Sequence, residues 1–166
     1  MTPGTTRTWT PVPPPYHQAF LEAVGRLIVD GARDHMSYQL AVVLAQAACE
    51  VLVEQLLDAQ ISKVQPESVR DWIADRAKHR NDLSDERDRK LYSALTGDEI
   101  NAGKGFWQEY TKHGKRRHDV VHAGKAISKE EAMHSYDTGR RVVAHLLEVQ
   151  RRLTNPDDAS RSVPTS

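Results

Sequence analysis

Apolar residues recur at three- and four-residue spacing along almost the whole chain, and this periodicity restricts the fold more than any other feature. Phe20, Val24, Leu27 and Ile28 form one stripe, and Leu40, Val43, Leu44, Ala47, Val51 and Leu52 form a second. No stretch alternates with period two, so a sheet has nothing to be built from. Pro66 stands where a third helix would begin, with Val69, Trp72, Ile73 and Ala77 at helical spacing, Trp72 in the core, and Asn81 and Asp82 at the exit. Ser84 is the expected cap of a short fourth helix, with Asp85 and Glu86 in its acidic first turn and Gly97 at its stop. Phe106, Tyr110, Val120 and Val121 predict a fifth helix, bent or broken at Gly114. Ser128 and Glu131 form a capping pattern ahead of the last, which carries Met133, Tyr136, Val143, Leu146, Leu147 and Leu153. Five or six helices over residues 16–153 predict a compact all-α bundle.

Composition narrows what such a bundle does. The chain has 166 residues, the size of one domain, and its 39% hydrophobic residues suffice for a single core. A charged fraction of 28% and a mean hydropathy of -0.63 speak against a membrane protein. The most apolar helix, over 37–59, is interrupted on one side by Gln39, Gln46, Glu50, Glu54 and Gln55, which marks a central bundle helix rather than a membrane span. The lone Cys49 forms no internal disulfide, reads as a small buried side chain, and fits a reducing cytoplasm. Residues 1–15 hold five of the eight prolines and Trp9 and read as an extended arm without an export signal; residues 154–166 read as a disordered polar tail.

Charge balances at 23 basic against 23 acidic residues, so any affinity for nucleic acid must come from local clustering. The cluster is at 104–125, where Lys104, Lys112, Lys115, Arg116, Arg117 and Lys125 face only Glu109 and Asp119, with His113, His118 and His122 interspersed. Such a field attracts phosphates, and histidine exchanges protons near neutral pH. Within it lies Arg117-His-Asp-Val-Val-His122, an arginine followed by a polar residue and, four residues on, a histidine.

In this segment the chain resembles the HEPN superfamily, whose signature is an arginine, four to six residues and a histidine, commonly with a polar residue after the arginine. The resemblance covers 16–153 in outline and 106–153 in detail. It implies an RNA endonuclease that needs no metal or other cofactor, often a toxin or antiviral effector, acting as a homodimer whose two motifs meet in one cleft. RNA carries its own nucleophile, so such a site has only to move protons and stabilise charge while the 2′-hydroxyl displaces the 5′-oxygen. On that reading His122 handles a proton and Arg117 faces the charge building on the phosphorus oxygens. His118 lies beside the phosphate or orients, Asp119 fixes a cation, and Lys112, Lys115, Arg116 and Lys125 hold flanking phosphates. The expected partners are RNA, a second copy and an antitoxin or defence protein, with no membrane. A subgroup of the family carries a regulatory tyrosine two residues after the histidine; here Gly124 stands there.

Five residues on a helix turn by about 140°, so Arg117 and His122 do not share a face. Either the arginine bends back, or the backbone departs from helix, or two subunits combine. His118 and His122, four apart, share one. The same pair allows other readings. His118-Asp-Val-Val-His122 resembles a zinc hydrolase helix with a third ligand sought among His113, His134, His145, Glu130 and Glu131, and the His118-Asp119 doublet resembles the HD phosphohydrolases. A HEPN module that binds RNA or a nucleotide, or only dimerises, without catalysis is the remaining alternative. Phe106 and Trp107 read as packing rather than base-stacking groups. Glu50 and Glu54 are candidate partners of Arg140 or Arg141, or a polar stripe facing solvent or a second subunit.

Overall fold

The computed structural model describes residues 15–30, 35–78 and 81–155, all in helices and their connections. The arm and the tail expected from sequence fall outside these, apart from Pro15, Thr154 and Asn155. Six helices follow one another: α1 (Tyr16–Asp30), α2 (His35–Ile61), α3 (Glu67–Ala77), α4 (Glu86–Thr96), α5 (Gly105–Ala123) and α6 (Lys129–Thr154). With no strand among the described residues, the molecule is the all-α bundle that the periodicity predicts.

Local chemistry sets most of the boundaries. Ser128 caps α6 with both halves of the capping box, its hydroxyl accepting from Glu131 N and the Glu131 carboxylate accepting from Ser128 N. Gly97 and Gly124 close α4 and α5 in left-handed conformations, φ 68° and 60°, which only glycine adopts without strain. The cap of α4 is Asp85 and not Ser84: its carboxylate accepts from Arg87 N and Asp88 N. The α5 helix runs unbroken through Gly114, because that glycine serves contact between elements. A Cβ there would lie 2.7 Å from Ser84 Cβ and Oγ.

The second helix is the axis of the fold, packing against α1, α3, α4, α5 and α6. By length and composition alone Met36–Ile61 could cross a membrane, but its apolar side is taken up by the bundle. At Gly139 the backbones of α2 and α6 approach closely, a Cβ there meeting Ala45 O at 3.2 Å. Trp72 is not core. Ile73, Ala74 and Ala77 pack inward from α3, and Trp72, one residue and about 100° away, is 60% exposed with the Arg76 guanidinium 4.8 Å above its ring.

Buried apolar side chains form two clusters. One joins Ala48–Ile61 of α2 to Leu83, Tyr92, Trp107, Tyr110 and Val142–Val149; the other joins Val24, Ile28, Tyr38–Ala45, Val120, Ile127 and Ala132. Between them, Gln46 on α2, His113 on α5, and Ser135 and Thr138 on α6 are buried. A polar layer thus divides the core, with Arg116, bonded to Ser135, and the motif's Arg117 at its edge.

Candidate functional site

The inward stripe of α5 is Trp107, Tyr110, His113, Gly114 and Val120. Arg117 falls on this stripe, three residues after Gly114 and three before Val120, and is half-buried. Its Nε is buried without a hydrogen-bond partner, and among the described residues no carboxylate pairs with it within ion-pair distance. The half turn to the other side brings out His118 and His122, both exposed, with ring centroids 4.4 Å apart. They share a face as predicted. Since α5 is regular through the motif, a departure of the backbone from helix is excluded, and within one protomer Arg117 points into the bundle while His122 faces out.

Of the polar residues that interrupt the apolar helix, Gln46 is buried against α5, Gln39 reaches the turn after α5, and Glu50 is half-buried one turn beyond Gln46. Gln39 Nε2 donates to Lys125 O at 2.7 Å and Gly124 O at 3.3 Å, while Gln46 Nε2 lies 3.0 Å from Tyr110 Oη, so the two helices run antiparallel. The Gln46 amide nitrogen also reaches Glu50 Oε1 at 3.0 Å and Asp82 Oδ1 at 3.1 Å. Asp82 is fixed in turn by Ser84 N. Burial raises the Glu50 carboxyl above its ordinary range and Asp82 adds to the rise, against the downward pull of the Gln46 hydrogen bond and the Arg117 charge. Glu50 accepts from Gln46, and neither Arg140 nor Arg141 pairs with it; these lie over the rings of Tyr136 and Phe106. Glu54 is exposed. Gln46, Asp82 and Tyr110 were missed; the signal for Gln46 was a polar residue one turn from Glu50 on an apolar helix.

The basic residues divide. Arg116 is largely buried and donates from Nη1 to Ser135 Oγ at 2.8 Å, beside Glu131, so it ties α5 to α6 and is not free for a flanking phosphate. Lys112 pairs with Glu109 at 2.8 Å, and Lys125 lies 3.8 Å from Glu131. Lys115 is exposed on the side of His118 and His122. Asp119 is half-buried and its carbonyl accepts from Lys125 N, closing the helix. Of the suggested third zinc ligands, His113 is buried, His134 pairs with Glu109 at 3.0 Å, His145 with Asp98 at 2.7 Å, Glu131 belongs to the capping box, and Glu130 is exposed in the first turn of α6. Among the described residues no set of three His, Cys, Asp or Glu side chains converges as metal ligands. Trp107 is packed against Phe106, Tyr110 and His145 as expected.

Beside the exposed histidines, Met36, Leu40, Val43, Val120 and Val121 line an apolar groove of about 500 Å³. Val121 sits in the motif itself, so the groove and the histidines are continuous. Comparison with protein families, with curated proteins and with solved structures returns no match for this chain.

Proposed function

We propose that the chain is an RNA endonuclease of the HEPN type that needs no metal, cleaves by attack of the substrate's own 2′-hydroxyl, and serves as a toxin or antiviral defence effector in a homodimer with a composite cleft. The observation that carries this reading is Arg117. A half-buried guanidinium with an unpartnered Nε, on the same helix as two exposed imidazoles, supplies an anion donor and proton carriers of the kind phosphodiester cleavage uses.

In the reaction the 2′-oxygen attacks phosphorus and the bond to the 5′-oxygen breaks. The 2′-hydroxyl loses its proton to one imidazole of the cleft, and the leaving 5′-oxygen takes a proton from a second imidazole that carries one. His122 takes a proton-transfer role with His118 beside it, and Arg117 stabilises the non-bridging oxygens as their charge builds. Lys115 and Lys125 hold neighbouring phosphates; Arg116 has no part in this, being tied to α6. The opposite facing of Arg117 and His122 favours a cleft in which a second copy brings its own histidines to the first copy's arginine. The products are a 2′,3′-cyclic phosphate and a 5′-hydroxyl.

The test is cleavage of end-labelled single-stranded RNA in excess EDTA by the wild type, Arg117→Ala and His122→Ala, with chemical mapping of the ends. Cyclic phosphate ends from the wild type alone, with each variant slower by at least about a hundredfold, are expected. RNA binding without cleavage would leave a binding module. Activity that appears only with added zinc or manganese would move the chemistry to a metal on His118 and His122.

A further inference from the structure

Behind the motif, two carboxylates share one donor. Gln46 on α2 is 1% exposed, and its Nε2 has Glu50 Oε1 at 3.0 Å, Asp82 Oδ1 at 3.1 Å and Tyr110 Oη at 3.0 Å. Two amide hydrogens are thus spread over three oxygens, while the buried Gln46 Oε1 has no partner. An orphaned buried acceptor is a cost to the fold, so the carboxylates and not the amide's own oxygen set how this side chain is turned. With a single nitrogen between them, the two carboxylate oxygens stand no more than about 6 Å apart, within the range where like charges resist ionising together. The two are not equally supplied with donors. Asp82 Oδ1 also accepts from Ser84 N at 2.9 Å, whereas Glu50, among the described residues, accepts from Gln46 alone.

We propose that Glu50 and Asp82 share a single proton, held on Glu50, and that this proton is a latch: bound, it lets Asp82 fasten the turn 81–85 to α2; released to solvent, it sets two carboxylates against each other and loosens that side of the turn. Among the described residues, the contact from Gln46 to Asp82 is the one hydrogen bond between this turn and α2. The other side of the turn is held from α4, where Asp88 Oδ2 accepts from Asp82 N and Arg89 Nη1 donates to Leu83 O and Ser84 O. Opening the latch therefore leaves α4 in place. Ser84 meets Gly114 of α5, so the latch sets how the turn seats on the helix that carries Arg117. The titratable and charged groups facing Glu50 are Cys49 beside it on α2, Tyr110 and Arg117 on α5, and Asp82 on the turn, with Asp88 of α4 behind Asp82. Burial and Asp82 favour the protonated carboxyl, Gln46 and Arg117 the ionised one, and the balance lies above the ordinary carboxylate range. A carboxyl so raised gives stability that is lost as pH rises through its folded value, so the latch opens on the alkaline side. None of this rests on the nuclease reading.

The experiment follows the Glu50 carboxyl carbon by ¹³C NMR from about pH 4 to about pH 9 in the full-length chain, with Glu50→Gln assigning the signal, and the exchange protection of Ser84 N–H in the same samples. Glu50 is expected to titrate above the same carboxyl in the urea-unfolded chain, and Asp82→Asn to bring its midpoint down. Ser84 protection is expected to fall by at least about threefold as pH passes through that midpoint in the wild type, and to stay level in Glu50→Gln. Gln46→Met removes the shared donor but keeps both carboxylates; it is expected to raise the midpoint further and carries the test if Asp82→Asn does not fold. A wild-type midpoint at or below the unfolded value would overturn the proposal. So would a raised midpoint that neither substitution moves, which is the mark of burial alone, or Ser84 protection indifferent to the protonation of Glu50.

Discussion

His113 is wholly buried, with neither ring nitrogen hydrogen-bonded, and its pKa is pulled down to about 3 by burial first and then by Arg116, His134 and Arg117. The folded protein therefore keeps this imidazole neutral, whereas the unfolded chain protonates it near 6.5. Between these values the unfolded state binds more protons, so stability falls as pH drops from 6.5 toward 3. His113→Leu removes that dependence. Its gain over the wild type near pH 5 should exceed its gain at neutral pH by on the order of 2 kcal/mol, and urea unfolding at the two pH values checks it; parallel shifts at both would refute it. Glu50 works in the opposite direction. Its raised carboxyl contributes stability below the ordinary carboxylate range that is lost as pH rises through its folded value. In the sequence His113 stood out only as a member of a basic cluster and as a candidate metal ligand, because nothing in a single sequence distinguishes a buried histidine from an exposed one four or five positions away.

Among the elements, α5 best separates local from long-range causes. Its C-terminus at Gly124 is a matter of backbone, since at φ +60° a side chain there would be strained even though the space around it is open. Its continuity through Gly114 is a matter of packing against Ser84. Gly114→Ala adds helix propensity of about 1 kcal/mol but drives a Cβ into Ser84, so a net loss of about 1–3 kcal/mol is expected. Ser84→Gly in the same chain should recover most of it, and the midpoint of urea unfolding reads both. A Gly114→Ala chain as stable as the wild type would mean that the loop at Ser84 yields freely. The capping box of α6 was legible because its partners are three residues apart. The cap of α4 was assigned one residue early because Ser84 and Asp85 are both good caps, and only the register of α4 against the core chooses between them. Trp72 was misplaced for a similar reason: on a helix as short as α3, one position separates the packed side from the exposed one.

For the whole molecule, the division of the core by a polar layer is the arrangement from which the proposed function follows. The dimer in that proposal needs a face, and the apolar groove beside His118 and His122 is the one continuous with the motif. Sedimentation at micromolar concentration is expected to give a dimer, and Leu40→Glu, at an exposed position of the groove, to give a monomer with reduced RNA cleavage. A wild type that sediments as a monomer would remove the shared cleft. Sequence by itself determined the helices, their order, most of their ends and the positions of Arg117, His118 and His122, because periodicity, caps and spacing act within a few residues. Only the tertiary structure decided that Arg117 turns inward, that Arg116 is spent on α6, and that Gln46, Glu50 and Asp82 gather behind the motif. Those outcomes depend on which face of α2 meets which face of α5, and the burial that fixes that choice is summed over the whole bundle.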